Sequence, residues 1–151
     1  MKFRKLLSVV CAVLMLFSCA STVEQKNTTF TQVTEHTLNN GLYYAIHSKP
    51  ENSGKIQLRL MIKSGSLSET DAQSGYAHLV EHMAFNGTEH FPKNKIIELF
   101  EKAGLTFGND INAETNFSKT TYTLSIPRSD KKLLARVLLY FQDILTNITF
   151  D

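Results

Sequence analysis

SGYAHLVEHMAFNGT, residues 74–88, sets His78, Glu81 and His82 within little more than one helical turn and then runs into Asn86-Gly87. On a helix, positions i and i+4 share a face and i+3 adjoins it. His78 and His82 therefore point the same way, with Glu81 beside them. Burying two imidazoles and a carboxylate for packing alone is costly. The pattern asks for a helix carrying chemistry, with Asp71 or Ser74 as candidate N-cap and Gly87 as its stop.

The flanking sequence supplies the scaffold. KIQLRLMIKSG (55–65) alternates, Ile56, Leu58, Leu60 and Ile62 facing one way and Gln57, Arg59, Met61 and Lys63 the other, as in a half-buried strand. GLYYAIHS (41–48) reads as an earlier strand after the turn signal Asn39-Asn40-Gly41. FPKNKIIELFEKAGL (91–105) reads as a second helix with Ile96, Ile97, Phe100 and Ala103 inward and Gly104 at its end. LTFGNDINAET and SKTTYTLSIP read as two strands, with Tyr122, Leu124 and Ile126 on one face of the latter. Ser129 is the expected cap of a third helix that runs to Thr146, with Leu134, Val137, Leu138, Phe141 and Leu145 as its inner stripe. The order β-β-α-α-β-β-α, strands clustered and helices to one side, predicts an α+β sandwich and not a doubly wound sheet.

The chain has 151 residues, 42% hydrophobic and 20% charged, with a net charge of +2. That fits one ordinary globular domain or a piece of a larger one. No basic patch with interleaved aromatics appears, so nucleic acid is not an expected partner. Repeats and low-complexity tracts are absent. Residues 1–19, MKFRKLLSVVCAVLMLFSC, have a cationic start and an apolar run from Leu6 to Phe17, the pattern of a signal peptide. The run closes on LFSC, which resembles a lipobox, so Cys19 is the expected lipidated N-terminus and membrane attachment through that anchor is expected. Ala20, where Asp would favour inner-membrane retention, points to the outer membrane; without lipidation the chain would be secreted. Cys11 falls in the removed segment, leaving no cysteine pair for a disulfide or a cysteine zinc cage. Residues 20–34 read as a polar tether and 35–151 as the N-terminal part of a catalytic domain.

His78 and His82 can hold one ion at the ~2.0–2.1 Å of zinc–nitrogen bonds. Glu81 can reach a metal-bound water without being a ligand. H-x-x-E-H is the reverse of H-E-x-x-H, the inverted zinc-peptidase signature. Zinc would bring the pKa of its water to about 7 and polarise a peptide carbonyl, and Glu81 would carry the proton to the leaving amine. Glu98, Glu101 and Glu114 read as solvated or capping carboxylates. His36, His47 and His90 read as surface or turn histidines. Phe85, Phe107 and Tyr122 read as core, and Lys131-Lys132 as a solvated helix start.

GSLSETDAQSGYAHLVEHMAFNGTEHFPKN followed by GLTFGNDINAETNFSKTTYTLSIP closely resembles the pitrilysin/insulysin family of zinc metallopeptidases, near its bacterial secreted members and the relatives of mitochondrial processing peptidase. The resemblance runs from about Leu38 onward. It implies a two-layer α/β sandwich of the pitrilysin and processing-peptidase type, here truncated, with zinc on His78 and His82 and Glu81 as catalytic base. It implies that INAET is a sheet edge beside the zinc, where Asn112 and Ala113 bind the backbone of a peptide substrate by strand addition. It also implies a third ligand, a glutamate in a later helix that this chain does not reach, and a missing C-terminal portion or homologous second domain. The expected function is zinc-dependent hydrolysis of peptides or unfolded proteins, the chain being an N-terminal fragment inactive alone. The alternatives are a non-catalytic partner subunit, disfavoured by the intact His78, Glu81 and His82, and a peptide- or metal-binding surface lipoprotein. Zinc titration beside a peptide-cleavage assay separates them.

Overall fold

The computed structural model describes residues 32–49 and 54–150. The leader with Cys11 and Cys19, and tether residues 20–31, lie outside the described residues. Among the described residues no helix is long and apolar enough to cross a membrane. The chain divides into two units, Met1–Pro50 and Glu51–Asp151.

In the first unit, β1 (Val33–Thr37) pairs antiparallel with β2 (Tyr43–His47). The turn forms where Asn39-Asn40-Gly41 signals it. Gly41 N–H donates to Leu38 O at 2.9 Å, and Asn40 Oδ1 accepts from Leu42 N–H at 3.1 Å. Strand β1 opens at Val33 and Thr34, inside the segment read as tether. VTEHT has no apolar alternation to announce a strand, and both strands are exposed throughout.

The second unit is built on a three-stranded antiparallel sheet in the order β3-β5-β4: β3 is Lys55–Ile62, β4 Ile111–Thr115 and β5 Thr120–Pro127. The register sets Leu60 opposite Tyr122, Leu58 opposite Leu124, and Ile111 opposite Leu124 on the other flank. Directly opposed side chains share a face. The alternation seen in sequence thus gives one apolar face, and the reverse face carries the exposed Gln57, Arg59, Met61, Asn112 and Glu114. The apolar face belongs to a single core with Ala84, Phe91, Ile96, Phe100, Leu133, Val137, Tyr140 and Ile144 from the helical side, which makes the two layers of an α+β fold. Each Leu, Ile, Val or Phe among them, fully buried, contributes roughly 1.5–3 kcal/mol.

Three helices follow the expected order: α1 Tyr76–Asn86, α2 Lys95–Lys102 and α3 Lys131–Thr146. Several details differ from the sequence expectation. Helix α1 is capped by neither Asp71 nor Ser74. Thr70 and Gln73 form a capping box on a short 3₁₀ turn at Asp71–Gln73, and the left-handed Gly75 (φ 91°) then starts α1. The Glu69 carboxylate accepts from Gly75 N–H at 2.8 Å and Ala77 N–H at 2.7 Å, taking up the first orphan donors of α1. Gly87 ends α1 as expected. Helix α3 is capped by Asp130, not Ser129, its side chain accepting from Leu133 N–H at 2.8 Å. Its buried stripe is Leu133, Val137, Tyr140, Phe141 and Ile144, whereas Leu138 is 54% and Leu145 43% exposed. The helix has apolar residues on overlapping arcs, and the ring of Tyr140, packed among Phe85, Phe91, Phe100 and Phe141, decides which arc turns inward. LTFGND is a turn and not a strand. Asp110 accepts from Thr106 N–H at 3.2 Å and from Lys55 Nζ at 2.7 Å, and β4 starts only at Ile111.

Candidate metal centre

Helix α1 lies against the sheet through Ala84 and Glu81, its buried residues. At about 100° per residue, Glu81 sits roughly 60° from His78 toward that buried side. The two histidines remain on the exposed side. Their Nε2 atoms are 3.1 Å apart and their ring planes are inclined at 50°. Glu81 is 7% exposed, and Thr115 Oγ1 on β4 donates to its Oε2 at 2.5 Å. Tyr122, across the register from Ala113, has its phenol pKa pushed up by burial, with the charge of Glu81 adding to the effect.

Two further contacts hold the C-terminal end of α1. Tyr140 O–H donates to Ala84 O at 3.2 Å, satisfying a carbonyl of the last turn. The segment after the helix is clamped to α3 by Asp143, which is fully buried. Its carboxylate accepts from Thr88 Oγ1 at 2.7 Å, His90 N–H at 3.0 Å, His90 Nδ1 at 2.9 Å and Asn147 Nδ2 at 3.3 Å. Burial pushes the Asp143 pKa up, yet these donors outweigh it and hold the group below the usual carboxylate range. The same bond, more than any other influence, raises the pKa of His90. His90 is thus more than a surface histidine: its half-exposed ring is anchored to a buried charge.

The donor chemistry fits a zinc ion in part. Two nitrogens on one tetrahedral zinc lie about 3.3 Å apart, given bonds of ~2.0–2.1 Å; the observed 3.1 Å needs only a small adjustment. Among the described residues no third His, Cys, Asp or Glu joins the pair. Glu98 is engaged by Lys95 at 2.9 Å and Lys102 at 3.7 Å. Glu101 is an exposed residue of α2, and Glu114 alternates onto the face of β4 away from Glu81. Phe85 is half-buried and meets Phe107 at 5.5 Å between ring centroids; Phe107 is 53% exposed and so rims the core where it was expected inside.

Strand β4 is an edge of the sheet among the described residues. Ser125 N–H bonds to Asp110 O and Asn116 N–H to Lys119 O at the two ends of the β4–β5 ladder. Alternation then turns the backbone of Asn112 toward β5 and that of Ala113 outward. Among the described residues the Ala113 N–H and C=O at the edge have no partner, and Asn112 offers its exposed side chain. A cleft of about 430 Å³ adjoins this edge, lined by Ser66, Glu69, His78, Thr115, Asn116 and Phe117.

The family described as Insulinase (Peptidase family M16) matches residues 44–151. The chain belongs to the insulinase family. It is 44% identical over 114 residues to the probable zinc protease PqqL of Escherichia coli, a stretch that is 76% of this chain and 12% of that protein. It is 34% identical over 121 residues to the mitochondrial-processing peptidase subunit beta of Blastocladiella emersonii, covering 80% of this chain and 24% of the relative. The crystal structure of the first half of the periplasmic protease PqqL from E. coli superposes with a TM-score of 0.75 at 42% identity, covering 79% of this chain and 25% of that one. The chain thus spans about an eighth of the length of the curated PqqL relatives.

The sequence reading missed Thr115, Glu69 and Asp143. Thr115 carries no short-range signal, because its partner is 34 residues away. Glu69 caps across six and eight residues, outside the usual capping window. Asp143 did leave a trace, a carboxylate beside an apolar helical stripe.

Proposed function

We propose that this chain carries the His-Glu-His portion of a zinc-dependent endopeptidase that hydrolyses peptides or unfolded proteins. The observation that carries the proposal is the convergence of the His78 and His82 Nε2 atoms to 3.1 Å beside a buried carboxylate, within a chain of the insulinase family. His78 and His82 hold the metal, and the third ligand comes from outside the described residues. Bound zinc supplies Lewis acidity, polarising the scissile carbonyl and lowering the pKa of a water. Glu81 takes the proton of the attacking water and delivers it to the departing amine nitrogen. Ala113, with its outward backbone, pairs with the peptide as an added strand, and the Asn112 side chain assists. Cys19 carries the lipid that holds the protein in the cell envelope, at the outer membrane.

Zinc content by elemental analysis tests the assignment. In the full-length homologous enzyme, His78→Ala and His82→Ala should each lose the metal, while Glu81→Gln should retain it. Zinc unchanged in either histidine variant would sink the ligand assignment. With two ligands among the described residues, the chain alone should be a weak zinc binder and a poor peptidase. Cleavage of an unstructured peptide that vanishes in Glu81→Gln would show that the chain completes its own site. Cys19→Ser should release soluble protein or leave an unprocessed precursor; normal anchoring would refute the lipid assignment.

A further inference from the structure

We propose that Thr115 is a positioning residue for Glu81, its hydroxyl fixing the carboxylate through both halves of the proton transfer; this rests on the reading of Glu81 as the base. A carboxylate as buried as Glu81 needs a donor. Among the described residues its one hydrogen bond comes from Thr115 Oγ1, and the 2.5 Å separation lies in the range of charge-assisted O–H···O⁻ bonds. Oε2 is thereby held, and Oε1 makes no hydrogen bond among the described residues.

The neighbouring hydroxyl determines how Thr115 behaves. Thr120 sits directly opposite Thr115 in the β4–β5 register, with the two Oγ1 atoms 3.3 Å apart. Each threonine has a single hydroxyl proton. Thr120 commits its proton to Ser64 O at 3.0 Å, so it cannot donate to Thr115. The Thr115 proton then has two acceptors to choose from, an anionic carboxylate and a neutral oxygen, and the carboxylate wins. The proton that Glu81 takes from water goes to the open Oε1, and Oε2, left as the carbonyl oxygen of the acid, still accepts from Thr115 Oγ1. The carboxyl group therefore keeps its partner in both states, with no proton leaving either threonine. Both threonines are β-branched and stand on paired strands, so the hydroxyls have little freedom to wander.

The experiment uses the 151-residue chain labelled with carbon-13 at the glutamate carboxyl, with Glu81→Gln to assign the signal. In Thr115→Val the Glu81 carboxyl resonance should shift and its side-chain methylene protons should average. Thr115→Ser should restore both, since it returns the hydroxyl. An unmoved Glu81 resonance in Thr115→Val, or an equal displacement in Thr115→Ser, overturns the proposal. Should Thr115→Val fail to fold by circular dichroism, the wild type decides. Its Thr115 hydroxyl should give a slowly exchanging proton signal with a cross-peak to the Glu81 methylenes, and exchange at the solvent rate overturns the proposal. Zinc uptake is followed on the same samples by chelator competition and should match wild type in Thr115→Val. Zinc retention in the full-length homologous enzyme that survives His78→Ala or His82→Ala counts against the peptidase reading; the Thr115–Glu81 contact is judged by its own resonance.

Discussion

Replacing Asp143 with Ala should cost the larger unit about 3 kcal/mol, taking about 1–3 kcal/mol for each stranded buried donor. The Thr88 hydroxyl is fully buried and would lose its only hydrogen-bond acceptor among the described residues. The His90 main-chain N–H is part-buried and would lose another. The His90 ring and the Asn147 amide adjoin solvent more closely and should recover part of their bonds from water. Against a total stability of 5–15 kcal/mol, a loss of about 3 is severe. At roughly 4–8 °C per kcal/mol for a unit of this size, the melting midpoint should fall by about 12–24 °C. Calorimetry on the wild type, Asp143→Ala, Thr88→Val and the double variant measures both the loss and the coupling. Thr88→Val in the Asp143→Ala background removes the stranded hydroxyl, so the two changes should be non-additive by about 1 kcal/mol or more. Additive losses, or an Asp143→Ala midpoint within a degree of wild type, would show that the clamp between α1 and α3 is held by something else.

Three other outcomes are expected. The raised pKa of His90 stabilises the fold fully below its unfolded value of 6.5, and that contribution is lost as pH climbs through the higher folded value. The lowered pKa of Asp143 contributes above 3.8 and is lost as pH falls through its folded value; melting curves of wild type should therefore weaken from pH 6 to 9 more steeply than those of His90→Gln, and parallel curves would remove the ion pair from the account. At Gly65 an added Cβ would overlap Asn116 O and stand 2.8 Å from Lys119 N, both main-chain atoms, so Gly65→Ala should lose about 3 kcal/mol in urea unfolding; an unchanged midpoint would mean the β4–β5 turn yields freely. Tyr140→Phe strands the Ala84 carbonyl and should cost about 1 kcal/mol at unchanged packing, and no loss of stability would mean that water satisfies that carbonyl.

Much of this fold is written locally. The two-residue period of Ile56 to Ile62 and of Tyr122 to Ile126 fixes which face of the sheet is buried, because a strand has only two faces to choose between. A helix offers a continuous circle. In α3 the arcs through Leu134, Leu138 and Leu145 and through Leu133, Tyr140 and Ile144 are both apolar, and only the aromatic partners around Tyr140 choose between them. The His78, Glu81 and His82 grouping is visible for the same local reason, all three lying on one short helix. The residues that orient it are not: Thr115 arrives from another strand, and Glu69 from the far side of a 3₁₀ turn. Side chains that act across the fold leave no period in the sequence.

The central place of β5 in the sheet also sets an order of events during synthesis. Hairpin β4–β5 closes over the four residues 116–119, but β3 must wait for β5, with Ile62 meeting Thr120 across the 57 residues 63–119 and Lys55 meeting Pro127 across the 71 residues 56–126. Loop-closure entropy grows by only about 0.6 kcal/mol per doubling, so the long closure adds roughly 2 kcal/mol to the short one. Helix α1 lies inside that loop. As the chain leaves the ribosome, the histidine pair emerges well before the strand that gives its helix a surface to rest on, and Glu81 emerges before Thr115. On the proposed reading of His78 and His82 as zinc ligands, a metal ion met at that moment would find a short, unsupported helix, so a nascent chain stalled before residue 120 should hold no zinc at this site.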